Sequence, residues 1–246
     1  MWKIGFLRLL ALLICFTSSA SFAELSLMLE SGAAWQQRND LRVPSDIGTR
    51  LDFDKFDEGP FFHYRAELEW RFNEKHNVRA VYAPLNIVVK GRTNKNINFD
   101  NQTFSSNEEL EIDYTFNSYR LTYFYSFFGS GENQLNLGIT GKIRDAEIQF
   151  TQSGQSTSYD NLGFVPLLYF EYQKPVGPNW LINFNADAAA ASQGRAFDLA
   201  LKFRRKISNQ TNVGFGWRSL EGGAENDKVY TFSWLNYAVI DFVTRF

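Results

Sequence analysis

The sequence predicts an all-β chain: a closed, antiparallel, up-and-down transmembrane β-barrel of about ten strands, with eight or twelve left open. Three observations lead there. Apolar and polar residues alternate with a period of two through most of the chain, as strands with one apolar face require. Phe, Tyr and Trp make up 17% of the 246 residues, yet they are spread evenly through a chain with only one long apolar run, at its start. The sequence also ends in NYAVIDFVTRF, an alternating segment that stops on Phe246. A soluble domain usually frays at that point, so this segment is expected to be tied into a sheet.

Met1–Ala23 has the three-part layout of a cleaved secretory signal peptide. Lys3 and Arg8 precede an apolar run through Phe16, and small residues lead to Ser21-Phe22-Ala23. The apolar core is far shorter than the ~20 residues of a spanning helix. The expected division is therefore a signal at 1–23 and a barrel at 24–246. Cys15, the only cysteine, lies inside the signal, so the mature chain has no disulfide or thiolate chemistry. Ile14 before it is not the small residue that a lipoprotein signal wants. The formal charge is −2, and loss of Lys3 and Arg8 makes it more negative. With no block of lysine and arginine, nothing points to nucleic acid.

The strands follow in order. Strand one runs from Leu25 to Gln37. Residues 60–73 give the clearest alternation: Phe62, Tyr64, Ala66, Leu68, Trp70 and Phe72 on one face, with His63, Arg65, Glu67, Glu69 and Arg71 on the other. Strand three spans about His76 to Lys90. Strand four starts near Glu108 with Leu110, Ile112, Tyr114 and Phe116 as its apolar set. After Asn117-Ser118 that set shifts by one residue to Tyr119, Leu121, Tyr123, Tyr125 and Phe127. Strand five, 135–150, repeats the shift, from Leu135, Leu137, Ile139 and Ile143 to Ala146, Ile148 and Phe150. Such shifts predict β-bulges in neighbouring strands. Strands six to ten are expected at 161–173, 179–190, 195–205, 211–218 and 228–246.

Connections of contrasting length come next. Asn73–Lys75, GSGEN, Lys174–Pro178 and KISNQ are short; Arg38–Gly59, Gly91–Asn107, Thr151–Asp160 and Ser219–Asp227 are longer, and Ser192–Gly194 is a short exception. Tight turns at one end and longer loops at the other are a property of membrane barrels. An even strand count puts both termini at the tight-turn end, here expected to be periplasmic. Trp70, Phe72, Tyr125, Phe127, Phe170, Tyr172 and Trp180 then form an aromatic girdle near that end. Trp35, Trp217 and Trp234 fall towards the other. Amphipathic rings belong at membrane interfaces.

If the aromatic face meets lipid, the opposite face is a lumen rich in charge. Strand two supplies His63, Arg65, Glu67, Glu69 and Arg71, and strand three Arg79. Strand four offers Glu109, Glu111 and Asp113, then Arg120; strand five offers Lys142 and Arg144. Asn183, Asn185, Asp187, Asp198, Lys202, Arg204, Asn212, Arg218 and Asp241 complete the set. These groups either pair across a narrow lumen and fill it or line a water path for small solutes. The expectation is a structural or narrow-pore barrel, plugged or of small bore. Mixed signs give no reason for anion or cation selectivity.

Other chemistry is thin. His63 is the one weak candidate for a catalytic base in a lipid-modifying or hydrolytic barrel, because His76 sits beside a turn. No nucleophile stands near His63 in sequence. Asp52, Asp54, Asp57 and Glu58 cluster in LDFDKFDEG, but their spacing misses a calcium loop. No metal and no cofactor is expected. Gly-x-Gly at 129–131 and at 214–216 carries no nucleotide signal in a turn or a strand. The loops LRVPSDIGTR and GRTNKNINFDNQTF could instead serve binding or adhesion.

With its signal peptide, alternating strands and closing VIDFVTRF, the chain resembles the small outer-membrane β-barrel proteins of Gram-negative bacteria. The resemblance covers residues 24–246 and is of a class, not of a narrower family. It implies an outer-membrane location among lipid and lipopolysaccharide. It also implies recognition of Ile240, Phe242 and Phe246 by the outer-membrane insertion machinery. Nothing in it sets an oligomeric state.

Overall fold

The computed structural model describes residues 24–128, 132–192 and 194–246, so the signal-peptide segment and the Gly-x-Gly at 129–131 lie outside it. The described residues form ten barrel strands, from β1 (Glu24–Arg42) and β2 (Phe61–Arg71) through β3 (His76–Arg92), β4 (Glu109–Ser126) and β5 (Gln134–Gln152). Then come β6 (Gln155–Gly177), β7 (Trp180–Ala191), β8 (Gly194–Lys206), β9 (Thr211–Glu225) and β10 (Tyr230–Arg245). Each strand pairs antiparallel with its sequence neighbours, and β10 pairs back on β1. The chain is thus a closed, up-and-down transmembrane β-barrel.

Closure follows from the solvent. Lipid cannot satisfy free backbone groups, so a spanning sheet must have no open edge. The closing seam runs from Ser26↔Arg245 to Arg42↔Tyr230, and the Phe246 amide donates to the Leu25 carbonyl at 2.8 Å. Ala238, Ile240 and Phe242 face outward; Tyr237, Val239, Asp241 and Val243 are buried inside.

The shifts at 117–118 and near 144 are not bulges. β3–β4, β4–β5 and β5–β6 each keep one unbroken register from end to end. What changes is the solvent, while the pleat stays constant. On β4 the even-numbered residues point inward throughout, from Leu110, Ile112 and Tyr114 to Arg120, Thr122 and Phe124. Below Ser118 the outward residues are Tyr119, Leu121, Tyr123 and Phe127, all exposed to lipid. Above it they are Asn117, Thr115, Asp113, Glu111 and Glu109, suited to water. The paired row Tyr82↔Tyr119↔Ile143↔Phe164 marks the upper edge of the lipid band. On β4 the apolar band, 119–127, spans close to the ~9–11 residues a tilted strand needs. Strands β3–β6 continue past that row by about ten residues, or roughly 30 Å of strand. There the interior is apolar and the exterior polar.

This inversion corrects three lumen assignments. Glu109, Glu111 and Asp113 lie on the outer face of the projecting sheet, with Glu111 paired to Lys90 and Asp113 bonded to Asn86. It also corrects two loops. Thr151–Asp160 is mostly strand, joined by a two-residue turn in which Ser153 (φ 48°) and Gly154 (φ 83°) both adopt positive φ. That is the twist-matched hairpin turn. Ser219–Asp227 likewise continues β9 to Glu225. The asymmetry between the two ends therefore lies in strand height more than in loop length.

Above the lipid band the wall divides into two sheets. β2 pairs with β3 only up to Ala66↔Tyr82, and β6 pairs with β7 only up to Leu168↔Ala188. Beyond those pairs, β3–β6 form one wall and β7–β10 with β1 and β2 the other. The first loop adds a short strand (Leu51–Asp52) and a 3-10 turn (Phe53–Lys55), and the second adds a hairpin, Ile97–Phe99 with Gln102–Phe104.

Candidate functional site

Two layers fill the barrel. The lower one is ionic and sits within the lipid band. Asp198 accepts from Arg65 Nη1 at 3.1 Å and Arg120 Nη2 at 2.6 Å, and also meets Arg218. Glu30 takes Arg218 Nε at 2.9 Å, His63 Nε2 at 3.0 Å and Lys202. Asp187 binds Arg79 at 2.9 Å, Arg120 at 2.8 Å and Thr140 at 2.7 Å. Asp241 holds Lys202 at 3.1 Å and Arg204 at 2.8 Å. Glu67 meets Arg65 and, at 3.7 Å, Arg79. Shared partners join these groups into one network across β1, β2, β3, β4, β5, β7, β8, β9 and β10. Lys202, Thr122 and Asn183 have no solvent exposure. Gly214 makes room for it, because a Cβ there would lie 2.3 Å from Asp241 Oδ1.

Such density follows from the chemistry of the wall. A lumen-facing charge must find partners or lose several kcal/mol of solvation. Towards the turn end the network loosens. Arg71 reaches Glu24 at 3.3 Å and Glu69 at 3.7 Å beside a polar hollow of about 50 Å³, which Glu171, Gln134 and Arg245 also line.

The upper layer is an apolar cap. Leu85, Ile87, Val89, Leu110, Ile112, Tyr114, Ile148 and Phe150 from the tall wall pack against Ala34, Leu41, Leu235, Tyr237 and Val239 from the other. Phe53 of the first loop and Ile97, Phe99 and Phe104 of the second complete the layer. The loops are also stitched together: Thr49 N donates to Asn98 O at 2.8 Å, Asp100 N to Val43 O at 3.1 Å and Ser45 N to Lys228 O at 3.2 Å.

The first loop is held at its base by Asp40, whose side chain is nearly buried between Arg38 and Arg50. Burial pushes the Asp40 carboxyl up, but hydrogen bonds from Arg38 and Arg50 outweigh it and hold the group below its ordinary value. A depressed carboxyl stabilises the fold above its unfolded value, about 3.9, and that contribution is lost as pH falls through the folded value. Pepsin should therefore cleave within 43–58 more readily as pH drops from about 4 to about 2. Asp40→Asn should show no such rise once pepsin's own pH dependence is normalised on an unfolded substrate. Equal acid sensitivity in the two proteins would assign the effect elsewhere.

The structure places Arg65, Glu67, Arg71, Arg79, Arg120, Asp187, Lys202, Arg204 and Arg218 in the lumen, with Glu69 at its lower mouth. Lys142 and Arg144 also point inward but meet no carboxylate among the described residues; Lys142 lies over the Phe116 ring at 4.9 Å and Arg144 bonds Asn161. Two acids were missed, Glu30 and Glu171. Each alternates with lipid-facing neighbours, Leu29 and Ser31 or Phe170 and Tyr172, so the period-two pattern carried the signal. Trp70, Phe127, Tyr172, Trp180, Trp217 and Trp234 are exposed on the outer face, with Phe72, Tyr125 and Phe170 partly so. Trp35 stacks on Trp217 at 6.5 Å.

His63 is buried beside Glu30 and Tyr237. Its Nε2 is on Glu30, its ring lies 4.7 Å from Tyr237, and Ser31 Oγ donates to its backbone carbonyl rather than its ring. In the first loop Asp54 accepts the Asn39 amide and Asp52 pairs with Lys55, and the described residues hold no cluster of potential metal ligands.

No protein-family model matches the chain, and no curated protein matches it. Solved structures do. The outer membrane protease OmpT from Escherichia coli aligns with a TM-score of 0.59 at 8% identity, over 94% of this chain and 99% of that one. Ail, the attachment invasion locus protein of Yersinia pestis, in a crystal structure with the heparin analogue sucrose octasulfate, aligns at 0.45 and 13% identity, over 92% and 99%. Neisserial surface protein A aligns at 0.32 and 8%, over 93% and 100%. The OmpT likeness is one of fold. The chain shares the closed antiparallel barrel fold of Gram-negative outer-membrane proteins, and its lumen holds a buried charged network.

Proposed function

We propose that this barrel passes no solute and works through the collar that it raises above the membrane, as a surface-presenting binding protein. The observation that carries the reading is the pair of seals in series: an apolar cap stacked on a cross-linked ionic layer. Water and ions need continuous polar space, which the apolar cap interrupts and the cross-linked charges narrow. In this reading the long-loop end faces outward, both termini are periplasmic, and the lipid band sits among lipopolysaccharide after delivery by the insertion machinery. Phe242 and Phe246 lie exposed on the outer wall, where that machinery could reach them.

The outward wall of β4–β6 above the lipid band carries Glu109, Glu111, Asp113, Asp145, Glu147 and Asp160. Glu147 and Asp160 stand directly opposite each other. Such a wall favours cationic partners and repels acidic ones. The reading involves no catalytic step.

Planar-bilayer recording tests the proposal. The folded protein should give no discrete conductance steps at high loading. Reproducible unitary steps would overturn it in favour of a narrow pore.

A further inference from the structure

Two seams of the wall part: β2 and β3 separate at the Tyr82 row, whereas β6 and β7 separate lower, within the lipid band. Residues 155–167 of β6 pair with β5 on one side and with nothing on the other, while Ala189–Ala191 of β7 pair only with β8. The parting begins inside the lipid band, two pairs below Pro166 and Ala190 and four below the Phe164 row. On the outer face it opens an apolar groove of about 470 Å³, lined by Ile139, Gly141, Phe164, Pro166, Leu168 and Ala188–Ala190. That is within the ~300–1,000 Å³ of ordinary ligand pockets.

Three features say what fills it. First, the groove continues the lipid-facing surface, where Phe164 and Leu168 are each 71% exposed, so its contents are hydrocarbon. Second, the free edges of β6 and β7 leave backbone groups unpaired at membrane depth. Each costs several kcal/mol in hydrocarbon unless a polar group meets it. An acyl chain alone cannot do this, but a chain with ester, amide or hydroxyl groups near its head can. Third, on the inner side of that free edge Arg144 lies over Gly163, with Nη2 3.2 Å from where a Cβ would stand, so a headgroup meets it around the unpaired edge of β6. Its row is next above Ile143↔Phe164, at headgroup level.

Arg144 and Lys142, one inward position below it, are the inward-facing cations that meet no carboxylate among the described residues; the network's other cations all do. Arg144 Nε is buried without a partner. Lys142 lends further positive potential from behind Val165, its cross-strand neighbour.

We infer that the β6–β7 seam is a lateral binding site for a phosphorylated, acylated glycolipid of the outer leaflet. One acyl chain lies in the Phe164–Ala188 groove, its polar linkage meets the free strand edges, and its phosphate sits on Arg144. The inference rests on the orientation proposed above but not on a closed lumen. A conducting channel that still retained the lipid would overturn the sealed reading alone.

Native mass spectrometry of the folded full-length mature protein tests it. Protein is released from nanodiscs of phosphatidylethanolamine containing phosphorylated lipid A, dephosphorylated lipid A or phosphatidylglycerol. The wild type should retain one phosphorylated lipid A in preference to the other lipids. Arg144→Gln should weaken that retention about tenfold or more, as loss of a charge-assisted hydrogen bond predicts, and should erase the preference for the phosphorylated form. Ala188→Trp, which fills the groove from the lipid face, should weaken retention of both lipid A forms. Heat-modifiable migration confirms that each variant is folded. Equal retention by wild type and both variants would overturn the site, as would equal retention of phosphatidylglycerol.

Discussion

Asp198→Asn is expected to lower the unfolding free energy of the barrel by about 3–5 kcal/mol. The side chain is the hub of three guanidinium groups, from Arg65, Arg120 and Arg218. Those arginines come from β2, β4 and β9, so the hub ties opposite walls of the barrel together. Asparagine keeps the shape and one acceptor but turns an amide donor towards buried cations and removes the charge that holds them. What is lost is less a favourable bond than a carboxylate shared by three groups that cannot reach water, which leaves Arg65, Arg120 and Arg218 to Glu67, Asp187 and Glu30. Urea titration of the protein folded in lipid vesicles measures the cost. Glu221→Gln is the control, since it breaks the more exposed Arg195–Glu221 pair and should cost no more than about 1 kcal/mol. Equal midpoints for the two variants would mean that the lumen is wet and screened.

The same argument bears on why the lumen is ionic at all. Replacing a buried ion network with close-packed apolar side chains is often neutral or stabilising. A chain with both faces apolar, however, would present long hydrophobic runs to the export machinery, where ~20 apolar residues are read as a spanning helix. Alternation keeps each strand below that threshold. Charge in the lumen then lets each strand cross lipid with one apolar face and still fall short of a spanning helix.

That alternation is also what made the fold legible. The period-two pattern located all ten strands, and their facing within the lipid band, because a one-residue slip would have sent every side chain to the wrong solvent. It failed at Asn117-Ser118 for a physical reason. Apolar periodicity records which face is dry without saying whether the dry face is outside, against lipid, or inside, against other side chains. Leu110 and Leu121 belong to opposite faces of one regular strand, yet each is the apolar residue of its segment. A bulge and a change of solvent leave the same trace in sequence. Only the uninterrupted register of β3–β6 separates them, and with it went the lumen assignment of Glu109, Glu111 and Asp113. The parted seam was less visible still. Pro166 alone hints at a free edge, because proline cannot donate to a neighbouring strand.

Phe150→Ala should cost about 3–5 kcal/mol, the range for truncating a fully buried phenylalanine, and its effect should fall on the cap. Phe150 has no solvent exposure. Its ring stacks on Phe99 at 4.0 Å, and Phe104 and Phe53 pack on it at 5.6 Å and 6.3 Å. One β5 side chain therefore anchors both long loops to the tall wall. Truncation should speed hydrogen exchange across 43–58 and 97–104 while leaving the strands within the lipid band protected. Partner binding through the collar should weaken with it, because loops that must be ordered on contact lose affinity. Conductance should nevertheless stay absent, since the ionic layer around Asp198 and Asp187 lies below and does not depend on the cap. Unitary steps in Phe150→Ala would show the cap to be the sole barrier and make the barrel a gated pore. Silence with a loosened cap would separate the two layers, the lower sealing the membrane and the upper shaping a surface.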